Sequence, residues 1–111
     1  MRPLAMLTCL VLAACSSYEL PAASPPEPAK AIAAAKQAAA EEKLVGAVEI
    51  SAVREANLIA PGRYMLCLRG AISDTAQRRT YAVFFKGDAY LAVRMSVMID
   101  SCETQVFTPF T

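Results

Sequence analysis

The sequence predicts an α+β fold: an N-terminal alanine-rich helix followed by a small antiparallel sheet of three to four strands. Three observations carry this. Ala29 to Leu44 is dominated by alanine, the strongest helix former. From Arg63 onward the apolar residues fall in short runs, with tyrosine, phenylalanine and valine among them, as strands do. Gly87-Asp88 separates two such runs by two residues, the spacing of a hairpin turn.

The chain opens with Arg2 and an apolar run from Leu4 to Leu12 interrupted only by Thr8. That run is shorter than the roughly 20 residues a permanent membrane span requires, and it has the order of an export leader. Leu12-Ala13-Ala14-Cys15 then places small residues before a cysteine. The motif resembles the lipobox of bacterial lipoproteins. The resemblance implies that residues 1–14 are removed as a signal peptide and that the Cys15 thiol accepts a diacylglyceryl group. Further acylation, of the palmitate kind, would complete a membrane anchor. It also implies a cell-envelope protein on the periplasmic side, with Ser16 after the cysteine giving an outer-membrane address. Two or three acyl chains, at about 0.8 kcal/mol per buried methylene, hold a protein on a bilayer where one does not.

Residues 15–28 read as the lipidated cysteine and a tether. Pro21, Pro25, Pro26 and Pro28 in a Ser/Ala/Glu background build no core and favour extended backbone. At about 3.1 Å per residue this tether reaches up to roughly 40 Å. A helix is expected over 29–45, with Pro28 suited to its first position and Gly46 as its stop. Its apolar content is mostly alanine, so a solvated stalk or a lightly packed arm is expected.

Residues 46–111 form the expected β domain. Val48, Ile50 and Ala52 alternate as in a strand, although Leu44, Val48, Ala52 and Ala56 also fit a helix face; an extended segment before the Pro61-Gly62 break is favoured. Strands follow at Tyr64–Leu68, Thr80–Lys86 and Tyr90–Ile99. A type II′ turn at Gly87-Asp88 would set Phe85 opposite Tyr90, Phe84 opposite Leu91 and Tyr81 opposite Arg94. One face then collects Ala82, Phe84, Leu91, Val93, Met95 and Val97 with Leu66 and Leu68 as core. The other carries Tyr81, Val83, Phe85, Tyr90, Ala92 and Arg94, with Arg69 and Arg79 at its margin.

Composition narrows the chemistry. Histidine is absent, which removes histidine triads, proton relays and metal sites. Loss of Arg2 with the leader leaves ten basic and ten acidic side chains, and a neutral balance argues against a nucleic-acid partner. Of four cysteines, Cys9 would leave with the leader and Cys15 would carry lipid, so Cys67 and Cys102 remain. In an oxidising compartment they are expected to pair, for roughly 3–4 kcal/mol in a chain-entropy account. A plain meander keeps them apart. The bond requires that the chain after Val97 fold back over the first strand, or that the third strand lie beside the first. The alternative is two separate thiols.

Two further groups stand out. Tyr81, Phe85 and Tyr90 with Arg69, Arg79 and Arg94 have the composition of a protein-binding surface, unless the C-terminal Val106-Phe107-Phe110 segment or residues 47–60 cover them. Asp100 and Glu103 flank Cys102, but nothing separates them from a solvated turn. No catalytic residues, metal ligands or cofactor are expected beyond the covalent lipid. The leading expectation is therefore a non-enzymatic, lipid-anchored module that binds an envelope protein. It is similar in layout to small envelope lipoproteins that place a helix before a meander. The alternative is a periplasmic inhibitor or ligand-binding module. For that, Tyr64-Met65-Leu66-Cys67-Leu68-Arg69-Gly70 resembles the Tyr-x-Cys-x-x-Gly pattern of lipoprotein lysozyme inhibitors, with the spacing off by one residue.

Overall fold

Pro28 occupies the first turn of helix α1 (Pro28–Glu41), where its missing N–H costs nothing. The computed structural model describes residues 24–110, so the expected leader and Cys15 lie outside the described residues. Glu27 enters extended (φ −60°, ψ 148°), and its N–H donates to Asp88 Oδ1 at 2.9 Å. The far end closes on Lys43, held left-handed at φ 58°. Leu44 N–H reaches back to Ala39 O (2.9 Å) and Lys43 N–H to Ala40 O (3.1 Å), the paired bonds of a Schellman cap. The helix is therefore shorter than the expected 29–45. Gly46 is not its stop but belongs to the first strand, because Val45 already pairs with Ala71.

The expectation of a three- to four-stranded sheet is corrected: among the described residues the sheet has six strands, all pairs antiparallel. They are β1 (Val45–Ile50), β2 (Arg54–Glu55), β3 (Tyr64–Ala71), β4 (Arg79–Lys86), β5 (Ala89–Met95) and β6 (Thr108–Pro109). Their order is β5-β4-β3-β1-β6, with β2 also on β3. Two of the additional strands are two residues long, too short to leave a period-2 signature. β3 serves two partners on one edge, pairing Leu68–Ala71 with β1 and Tyr64–Met65 with β2. Ser51 bridges the gap. Its N–H donates to Cys67 O (2.9 Å), and its Oγ accepts from Cys67 N–H (2.8 Å).

The Gly87-Asp88 turn forms, with Gly87 at φ 61° and Lys86 opposite Ala89. Phe85 opposes Tyr90 as expected. Beyond it Leu91 is an extra, bulged residue, and Phe84 opposes Ala92, Ala82 opposes Arg94 and Tyr81 opposes Met95. A one-residue slip inverts every side chain after it, so Arg94 moves to the face opposite Tyr81. On β3, Leu66 and Leu68 pair with Val83 and Tyr81, which corrects their assignment to the face of Ala82 and Phe84. The expected third strand also stops early. It ends at Met95, and Met98–Asp100 is a 3-10 turn.

Both faces of the sheet are covered. Ala31, Ala34, Ala35, Ala38 and Ala39 make one stripe at i, i+3, i+4 spacing and are buried against Leu66, Leu68, Tyr81, Val83 and Phe85. The helix is thus a packed layer, not a stalk. On the opposite face Met65, Cys67, Ala82, Phe84 and Cys102 form a second cluster, joined by Ala56, Ala60 and Phe107.

Candidate interaction surfaces

The chain after Met95 turns back and crosses the second face from β5 to β1 as a strap. Its first anchor is Asp100, fully buried, which accepts from Arg94 (2.8 Å) and from the Val97 N–H (2.9 Å). An N–H of Arg54 on β2 donates to the Asp100 carbonyl. The second anchor is the disulfide between Cys102 and Cys67, with Cα atoms 5.7 Å apart. The third is Phe107, over which Arg69 stacks at 4.2 Å from the ring centre. Thr108 and Pro109 then close the edge of β1, where a proline without an N–H is tolerated. Of the two geometries that would join the cysteines, the fold-back over the first predicted strand is the one adopted.

The six residues expected to share one surface are divided. Tyr81 and Phe85 are each 1% exposed, beneath α1. Tyr90 is half-buried on that side, and its hydroxyl donates to Glu41 Oε1 at 2.8 Å. Burial, and then the neighbouring Glu41 carboxylate, push this phenol up to about 12. Arg69 and Arg94 lie on the strap side, and Arg94 stacks on Phe84 at 4.9 Å. Arg69 is held by Glu49 (2.9 Å), which also binds Arg78 (2.9 Å). Arg79 is exposed at the start of β4. The aromatic and guanidinium groups therefore form no single surface, and the bulge at Leu91 is what parts Arg94 from the tyrosines.

Asp100 and Glu103 do not form a carboxylate pair either, since Asp100 is enclosed and Glu103 points into solvent. The importance of Asp100 was readable only indirectly, as an acid directly after the apolar Val97-Met98-Ile99 stretch and six residues after an arginine. In the segment resembling the inhibitor pattern, Met65 to Leu68 are all fully buried in the central strand.

Exposed apolar side chains are scattered, Met98 and Val106 among them, but two places combine them with a free backbone edge or a groove. Among the described residues the outer edge of β5 has no neighbouring strand, and Leu91 and Met95 on it and Val97 just beyond it are 41%, 54% and 48% exposed. Between β2 and β3, a loop over 56–63 carries Leu58 and Ile59 into solvent, 103% and 78% exposed. Beside it a groove of about 390 Å³ is lined by Pro61, Gly62, Arg63, Tyr64, Lys86 and Leu91 among others. Comparison of the chain with protein-family models, with curated proteins and with solved structures yields no match.

Proposed function

We propose that this chain is a non-enzymatic, lipid-anchored envelope protein whose sheet domain binds a protein partner on the periplasmic side of the outer membrane. The distribution of cysteines carries the reading. Cys67 and Cys102 are bonded to each other, which suits an oxidising compartment, and Cys15 stands in a lipobox behind an apolar leader.

The edge of β5 is the docking element. The Ser96 N–H bonds Thr80 O at 3.0 Å, and bonded residues alternate along an antiparallel ladder. Val93 and Met95 therefore direct their backbone N–H and C=O groups outward, where an extended segment of a partner can add as a further strand. Natural edges are usually blunted with lysine or proline, and β5 carries neither; its edge is marked only by Arg94, engaged with Asp100, and by the bulge at Leu91.

The test is photo-cross-linking in intact cells with a photoreactive residue at Met95, paired with one at exposed Glu103 on the strap. A discrete adduct from position 95 alone, in acylated protein, supports the reading. No adduct at 95, or an intact mass without an acyl group on Cys15, overturns it.

A further inference from the structure

We infer that the Leu58-Ile59 loop tip inserts into the lipid surface to which the chain is anchored, and so fixes the orientation of the domain. This rests on the proposed acylation of Cys15. The inference begins with two aliphatic side chains that the fold goes out of its way to expose. Leu58 and Ile59 are the sequence neighbours of Asn57, whose Oδ1 accepts from Ile59 N–H (3.0 Å) and whose carbonyl accepts from Ala60 N–H (3.1 Å). Such an Asx-turn presets the backbone, so the tip is held out rather than frayed. Ala56 and Ala60, on either side, pack into the strap-side cluster. Gly62 seats the returning chain so tightly that an added Cβ would lie 2.5 Å from the Phe85 carbonyl oxygen.

The second observation is where the anchored chain enters the domain. The Glu27 N–H is bound by Asp88 in the β4–β5 turn, next to Lys86 and Gly87, which line the groove shared with Pro61, Gly62 and Arg63. The entry point and the loop tip therefore occupy the same end of the sheet, the end of Tyr64, Phe85 and Tyr90. Nine residue steps separate Cys15 from Ser24, a reach of at most about 30 Å even when fully extended. Because the chain enters at this end, it is the end that the anchor draws nearest to the bilayer. Exposed Arg63 on the loop and Lys86 across the groove suit the phosphates of lipid headgroups, while Leu58 and Ile59 suit the acyl boundary beneath them.

The chain contains no tryptophan, so a single one reports its own surroundings. Leu58→Trp and, at the opposite end of the sheet, Met98→Trp are both at exposed positions, Met98 being 88% exposed. Each variant is purified as the full acylated protein and mixed with vesicles of phosphatidylethanolamine and phosphatidylglycerol, with and without brominated acyl chains. The inference expects Leu58→Trp to shift its emission to the blue and lose most of it to bromine, with Met98→Trp unchanged. Vesicle-bound, acylated protein in which Leu58→Trp is not quenched overturns the inference and leaves the anchor standing, and would make the tip a protein contact. Quenching in protein whose mass shows no acyl group supports the insertion and overturns the anchor. Protein with neither acyl mass nor vesicle binding overturns both.

Discussion

Removing the covalent link between strap and sheet, by Cys67→Ala with Cys102→Ala or by reduction, should cost this domain much of its stability. The two cysteines are 35 residues apart in sequence. Closing a loop of that length removes unfolded-state entropy equivalent to about 4 kcal/mol at 25 °C in the chain-entropy model. For a domain of this size each kcal/mol moves the melting temperature by roughly 4–8 °C, so the midpoint should fall by roughly 15–30 °C. Thermal unfolding followed by far-UV circular dichroism, with and without a phosphine reductant, measures it directly. The effect lies mainly in the unfolded chain, because the Arg94–Asp100 pair and the β1–β6 pairing still hold the strap at its two ends. The denaturant slope should therefore rise as the unlinked chain exposes more surface on unfolding. A shift below about 5 °C would refute the entropic argument.

Further predictions concern single side chains. Lys43→Gly relieves a left-handed residue in the helix cap and should stabilise by about 1 kcal/mol; a destabilised variant in urea titration would exclude that cap. Asp100→Ala removes the acceptor of Arg94 and of the Val97 N–H, at a cost of about 2–3 kcal/mol, held down because the Arg94 side chain is 39% exposed. An unchanged urea midpoint would show that the strap does not depend on it. The Tyr90 phenol is pushed up to about 12 from its usual 10, so folding favours its neutral form. Its contribution is complete below pH 10 and is lost as pH rises through about 12. Tyr90→Phe should flatten that part of the stability profile, and an unaltered alkaline slope would assign the loss to other groups.

The helix, the hairpin and the two bonded cysteines were legible because each rests on local chemistry: alanine content, Gly87 before Asp88, and two thiols in the region read as the β domain. The pairing of faces was not. Leu91 is as apolar as its neighbours, and nothing in its side chain marks it as the inserted residue that reverses Arg94 and Met95 across the sheet. Residues 72–78 join β3 to β4 through a seven-residue connection rather than a two-residue hairpin, so no short-hairpin rule sets Leu66 against Val83 rather than Ala82. Alternation also assumes one wet face, whereas here Met65 to Leu68 and Tyr81 to Phe85 are buried on both. The strap was foreseen only as one of two ways for Cys102 to reach Cys67. The split of the six surface candidates between opposite sides followed from the bulge.

The layer built from alanine makes the interior lopsided. One wall supplies almost no bulk, and the facing wall supplies Tyr81, Phe85 and the leucines that fill the gap. Substitution should therefore be tolerated in opposite directions on the two walls. Any gain in size at Ala35 or Ala38 pries the layers apart, while any loss of size at Tyr81 or Phe85 leaves a void that the short methyl groups opposite cannot fill. Variation at these sites can persist only as paired changes that trade volume from one wall to the other.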